Sequence, residues 1–194
     1  MVRSKRIDSR GSMAAARATV TLDVSGLEEI AGRFKFMKST ILTVGVQGQD
    51  GLDTYKNTGA NVASVAMYNE FGTPAGPRHA GIPARSFLRS SVFENRDKIQ
   101  NKFAKSMAQV FGADGFTVGG RGDPITELGN VGAVIVGMVR DKIRTSGSWA
   151  KPNAPATVKK KGFDFPLIET LKLRDSISWA VRIGGQITAK GKAF

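Results

Sequence analysis

The stretch Ala66 to Arg89, AMYNEFGTPAGPRHAGIPARSFLR, restricts the fold more than any other part of the chain. An apolar run with helical spacing stops at Phe71-Gly72, crosses a loop rich in proline and glycine, and restarts at Ile82-Pro83-Ala84-Arg85. Proline lacks the amide that a helix interior needs, and glycine gives up the most backbone freedom on folding, so one helix cannot run through this stretch. Two helices must meet around a shaped turn. The chain has no cysteine, so only packing and hydrogen bonds can hold that turn.

The flanking sequence supplies the rest of the fold class. Thr19 to Val24 alternates Val20, Leu22 and Val24 with Thr19, Thr21 and Asp23, the period of a half-buried strand. Ser25-Gly26-Leu27-Glu28 has capping-box spacing, and Leu27, Ile30, Phe34 and Met37 form the stripe of a helix ending near Ser39. Ile41 to Val46 reads as a strand with Leu42, Val44 and Val46 on one face, and Gln47 to Thr58 as a surface loop. From Gly59 to Phe71, Ala60, Ala63, Ala66, Met67 and Phe71 line the packed face of a helix, with Asn61, Ser64 and Glu70 elsewhere. Leu88, Val92, Ile99, Phe103, Met107 and Val110 mark one long helix ending at Gly112.

A glycine-rich linker over 113–122 leads to Asp123-Pro124, a side-chain cap followed by proline at the first helical position. Leu128, Val131, Ile135 and Met138 continue that helix. Gly129, Gly132 and Gly137 weaken it, and Val134 to Val139 also reads as a buried strand. The segment 145–165, with three prolines and Lys159-Lys160-Lys161, reads as an extended basic loop. Ser176 to Ile183 alternates again, with Ile177, Trp179, Val181 and Ile183 on one face against Ser176, Ser178, Ala180 and Arg182. Gly184-Gly185 offers a tight turn toward Ile187. The expectation is an α+β protein: a small antiparallel or mixed sheet packed by three to four helices in a single domain over 19–183. A basic arm over 1–18 precedes it, and a hairpin or tail over 184–194 follows.

Twenty-nine lysines and arginines against sixteen acids give a net charge of +13, which points to a polyanionic neighbour. Arg3, Lys5, Arg6 and Arg10 in the arm and Lys159, Lys160 and Lys161 are the candidate contacts to DNA or to an acidic partner. Without a recognition helix or an aromatic stacking platform, any DNA contact is expected to be non-specific. No apolar run is long enough to span a membrane, and Met1 to Ala18 lacks the apolar centre of a secretory signal.

The search for chemistry finds little. The glycines near 112–122 lack the lysine of a phosphate-binding loop, and Arg121-Gly122-Asp123 is better explained by Asp123 as a helix cap. His79, the only histidine, has no orienting carboxylate or nucleophile beside it in sequence. Asp50, Asp53, Glu94 and Asp97 show no metal or paired-acid spacing. No cofactor, metal or catalytic residue is expected. An enzyme would need a site assembled from Tyr68, Glu70, His79 and Arg85.

Two separated segments resemble one family. Tyr68-Asn69-Glu70-Phe71-Gly72-Thr73 followed by Ile82-Pro83-Ala84-Arg85-Ser86-Phe87-Leu88-Arg89 resembles the signature of tailed-phage neck and tail-completion proteins. Trp149 to Ser176 is similar to the C-terminal pattern of the related Mu-type virion morphogenesis proteins, through Pro155-Ala156-Thr157, Pro166-Leu167-Ile168-Glu169-Thr170 and Leu173-Arg174-Asp175-Ser176-Ile177. Ser86 and Leu171 depart from the family's usual proline and glycine. The resemblance implies a virion protein that forms a ring, six- or twelve-fold, in the neck between head and tail. Portal-adaptor, tail-terminator or tail-tube proteins would be its neighbours. It carries no catalytic residue. Glu70, Phe71, Arg78, His79, Arg85, Phe87 and Arg89 become the candidate subunit-interface residues, with Arg85 and Arg89 expected to meet Glu70 or an acid of a neighbouring subunit.

Overall fold

Asp123 and Pro124 open the helix on which the rest of the molecule is built. A computed structural model describes residues 25–56, 58–77, 80–112 and 122–192. In chain order its elements begin with α1 (Ser25–Lys38), β1 (Thr40–Val46), α2 (Gln49–Leu52), α3 (Val62–Phe71), α4 (Phe87–Glu94) and α5 (Arg96–Phe111). They continue with α6 (Pro124–Arg144), α7 (Ser146–Trp149), α8 (Pro155–Lys161), α9 (Lys172–Asp175), β2 (Ile177–Ile183) and β3 (Gln186–Gly191). Thus the fold is α+β, as expected. The candidate strand Thr19 to Val24, the arm and positions 113–121 lie outside the described residues.

The Asp123 carboxylate accepts from Thr126 N at 2.8 Å and from Thr126 Oγ1 at 2.7 Å, which starts α6 cleanly. Leu128, Val131, Ile135, Val139 and Ile143 recur at steps of three and four and are all buried. The sheet order is β1-β2-β3, antiparallel throughout, with Leu42 opposite Val181, Val44 opposite Trp179 and Val46 opposite Ile177. One face of the sheet therefore gathers these six side chains against α6. Gly184 and Gly185, at φ 55° and 86°, form the hairpin turn into β3, which completes the same sheet.

The glycines that made α6 look doubtful explain its position. A Cβ on Gly132 would lie 2.7 Å from Trp179 Cβ, and one on Gly129 would lie 2.8 Å from the far edge of the same indole. Two missing side chains let the helix close onto the tryptophan, so the segment 134–139 belongs to a helix packed tightly on the sheet. Ser178 and Ala180, placed on the opposite face by alternation, are buried too. Gln47 lies across that face, donating Nε2 to Ser178 O at 3.1 Å and accepting from Thr43 Oγ1 at 3.0 Å.

Four expectations need correction. First, the long helix is two: Asn95 N donates to Ser91 O at 3.2 Å and Asn95 Nδ2 to the same oxygen at 2.9 Å, so a side chain competes with the helix backbone where the axis turns. Leu88, Ile99 and Val110 turn inward, whereas Val92 and Phe103 stay exposed. Second, α3 begins at Val62, capped by Asn61 accepting from Ser64 N at 2.7 Å, and buries Val62, Ala66 and Glu70. Ala63, Met67 and Phe71 face solvent instead, because α4 packs on the Ala66 and Glu70 side of the helix.

Third, the segment 145–165 is not an extended loop. Pro155 occupies the first turn of α8, where its missing amide costs nothing, and the three lysines lie on that helix. Gly162 ends it in the left-handed conformation at φ 80°, donating to Val158 O at 2.8 Å. Fourth, the stretch 47–58 contains α2 and a bridge from Thr54 to Asn61. The helix expected after Ser25 is present as α1, yet Leu27 and Phe34 of its stripe remain largely exposed.

Candidate functional site

The turn between α3 and α4 is fixed by two buried charges of opposite sign. Gly72 has φ 76°, and a Cβ there would stand 2.8 Å from Ile82 O, so only glycine lets the chain leave α3 so close to its returning strand. Thr73 and Ile82 then pair in both directions, with Thr73 N donating to Ile82 O at 2.9 Å and Ile82 N to Thr73 O at 3.2 Å. The loop is a closed strap whose ends return to α3. Arg78 and His79 lie outside the described residues.

Glu70, only 5% exposed, is the first clamp. The first amides of α4 have no intrahelical partner, and Ser86 makes no side-chain cap. The Glu70 carboxylate takes that place from α3: it accepts from Leu88 N at 2.9 Å, Arg89 N at 3.1 Å, Ser86 Oγ at 2.7 Å and Arg89 Nε at 2.9 Å. Negative charge is favoured at a helix N-terminus, so the carboxylate acts as a cap supplied by another helix. Burial pushes the Glu70 carboxyl up, but the hydrogen bonds from Leu88, Ser86 and Arg89 outweigh it and hold the group below its ordinary value of 4.5. A depressed folded value means that this stabilisation is complete above the unfolded value and disappears as pH falls through the folded one. Chemical unfolding of wild type and Glu70→Gln should therefore show a constant gap from pH 7 to about pH 5, narrowing below about 4.5.

Arg85, 6% exposed, is the second clamp. Its backbone amide donates to Asn69 O at 2.6 Å and its Nη1 to Asn69 Oδ1 at 3.1 Å. Nε reaches Lys151 O at 2.7 Å and Nη2 reaches Pro152 O at 2.9 Å, tying the strap to the segment that follows α7. Burial pushes the guanidinium down and Asp164 opposes this. An arginine so placed stays charged and uses its planar fork on carbonyls. Phe87, 2% exposed, anchors the start of α4 in the core. Arg89 meets Glu70 as expected, whereas Arg85 does not.

Glu70, Arg85 and Phe87 are thus interior residues of the fold, because each is spent on holding the strap. They cannot form the contacting surface expected of them. Phe71 and Arg89 can: Phe71 is 62% exposed, and the Arg89 guanidinium lies 4.5 Å over its ring. Phe93, one helical turn beyond Arg89 on α4, is 80% exposed, and Met67, one turn before Phe71 on α3, is 52% exposed. Together they make an apolar face with one fixed positive charge.

No family model, curated protein or solved structure matches this chain. Sequence reasoning missed Phe93 and assigned Met67 to the packed face of its helix, although a signal existed for the first: Phe93 is a large aromatic off the Leu88, Val92, Ile99 stripe. Asn69 was missed as well, since nothing in its neighbours marks it as the acceptor for a distant arginine.

The second group of candidates divides. Lys159 and Lys160 are exposed on α8. Lys161 turns back, donating Nζ to Phe165 O at 2.7 Å and lying 5.0 Å over the Phe163 ring. Burial pushes its ammonium down, with Glu169 opposing and Arg85 reinforcing that effect. Arg3, Lys5, Arg6 and Arg10 lie outside the described residues. Among the described residues, no cluster of three acids, histidines or cysteines is placed to hold a metal, and no helix is long and apolar enough to cross a membrane.

Proposed function

We propose that this chain is a structural virion protein of a tailed phage, assembling as a homo-oligomeric ring in the neck, where it completes the tail and joins it to the head. The observation that carries the reading is the exposed Met67, Phe71, Arg89 and Phe93 face, set on a turn whose polar residues are consumed in holding its shape. Glu70 is saturated by partners within the turn and Arg85 by partners in the turn and in the 151–152 segment, an arrangement suited to a rigid docking surface rather than to proton transfer. Exposed aromatics and an arginine on a preorganised backbone are the residue types that dominate protein contacts. The two separated sequence patterns supply the place in the virion.

The charge fits the same reading. Around a ring, +13 per subunit sums to a strong positive field, suited to a channel that passes DNA or to acidic neck proteins. Native mass measurement and electron-microscope images of the purified protein test the proposal, with closed rings as the expected result. Phe93→Asp should abolish rings while changing stability by no more than about 0.5 kcal/mol, since the side chain is exposed. A wild-type protein that stays monomeric at high concentration and binds DNA with steep salt dependence would favour a non-specific DNA-binding protein instead.

A further inference from the structure

A closed ring of identical subunits needs two different surfaces on each copy, one that presents and one that receives. The Met67, Phe71, Arg89 and Phe93 face supplies one, and among the described residues α1 carries a second set of exposed apolar side chains. On α1, Leu27 is 66% exposed and Phe34 is 49% exposed, two turns apart on one side. Phe34 stacks on Phe111 with ring centroids 4.7 Å apart, and Arg33 donates to Val110 O.

Those contacts fix where α1 sits. Val110 and Phe111 end α5, whereas Phe93 lies just before Asn95, where α5 begins. The sixteen residues of α5 span about 24 Å, so Phe34, seated on Phe111, and Phe93 stand near opposite ends of that helix. Phe34 therefore does not reach Phe93 within one chain. Placed at opposite ends, they can meet between protomers arranged head to tail.

Charge selects the pairing. Beside Leu27 stands exposed Glu28, and beside Phe34 stands exposed Lys35. On the receiving face Arg89 comes first and Glu94 follows, the latter half exposed despite its 2.7 Å pair with Lys142. Laid parallel, acid meets base at both ends of the two helices while the apolar side chains face each other. We infer that α1 of one copy docks on the Phe71, Arg89 and Phe93 face of the next, making the ring contact heterologous. This inference rests on the ring proposed above and adds which two surfaces form it.

The chain has no cysteine, so introduced thiols report the contact without background. Leu27→Cys and Phe93→Cys change exposed positions, and thermal melts identical to wild type would confirm that both fold. Mixed under oxidising conditions or with a short thiol crosslinker, the two variants should give a covalent dimer that neither gives alone. Adding Glu28→Lys to the first should slow that linkage at least tenfold at low salt. Self-linkage of Phe93→Cys alone would overturn the inference in favour of a face-to-face contact. Rings without any 27–93 linkage would overturn it while leaving the ring intact, the aromatic face then belonging to a different neck protein. Absence of both rings and linkage would overturn the two readings together.

Discussion

Glu70→Ala is expected to destabilise the protein by about 3 kcal/mol, lowering the melting temperature by roughly 6–12 °C for a chain of this size. The estimate follows from what the carboxylate accepts. Losing it removes the cap of α4, about 1 kcal/mol, and strands the amides of Leu88 and Arg89 next to the core. The Arg89 side chain contributes less, because it is 61% exposed and water replaces its lost partner. Glu70→Gln should fall between the two, keeping the shape but losing the charge at the helix N-terminus. Loss of stability in Glu70→Ala no larger than that of an exposed substitution such as Phe93→Asp would overturn the role assigned to the clamp.

Substitutions at two glycines of α6 should have opposite signs. Gly132→Ala places a methyl group 2.7 Å from Trp179 Cβ and 3.0 Å from Leu42 Cδ1, against a tryptophan already wedged between helix and strand. Overpacking of this kind costs about 1–3 kcal/mol, more than the helix propensity that alanine returns. Gly137→Ala meets nothing within 4 Å. There the propensity gain stands alone and should stabilise the protein by roughly 0.5–1 kcal/mol. Paired denaturant titrations of the two variants check both signs. A stabilising Gly132→Ala would mean that α6 does not rest on Trp179.

The elements with long, regular periodicity were readable in the sequence because each signals locally. Asp123-Pro124, the Leu128 to Ile143 stripe, the alternation of β1 and β2 and the Gly184-Gly185 turn all act within a few residues of themselves. What could not be read depends on partners far away. The apolar stripe on α3 looks like a packed face, but whether Phe71 or Glu70 is buried is decided by α4 arriving with unpaired amides. The break at Asn95 was hidden because Leu88 and Ile99 keep step across it. Arg85 resembled a surface arginine until the 151–152 segment came to rest on its guanidinium.

The Glu70 clamp also bears on when the proposed docking face comes into being. It joins positions 16 to 19 residues apart, whereas Thr43 of β1 must find Ala180 of β2 across 137 residues. Closing the shorter loop costs roughly 2 kcal/mol less entropy, and contacts of low sequence separation form faster. The α3–α4 turn is complete in the chain before β2 has been synthesised. A chain still on the ribosome is therefore expected to carry the Phe71, Arg89 and Phe93 face on an unfinished sheet, so in the proposed ring completion of the C-terminal hairpin becomes the step that separates a subunit able to recruit neighbours from one able to withstand them.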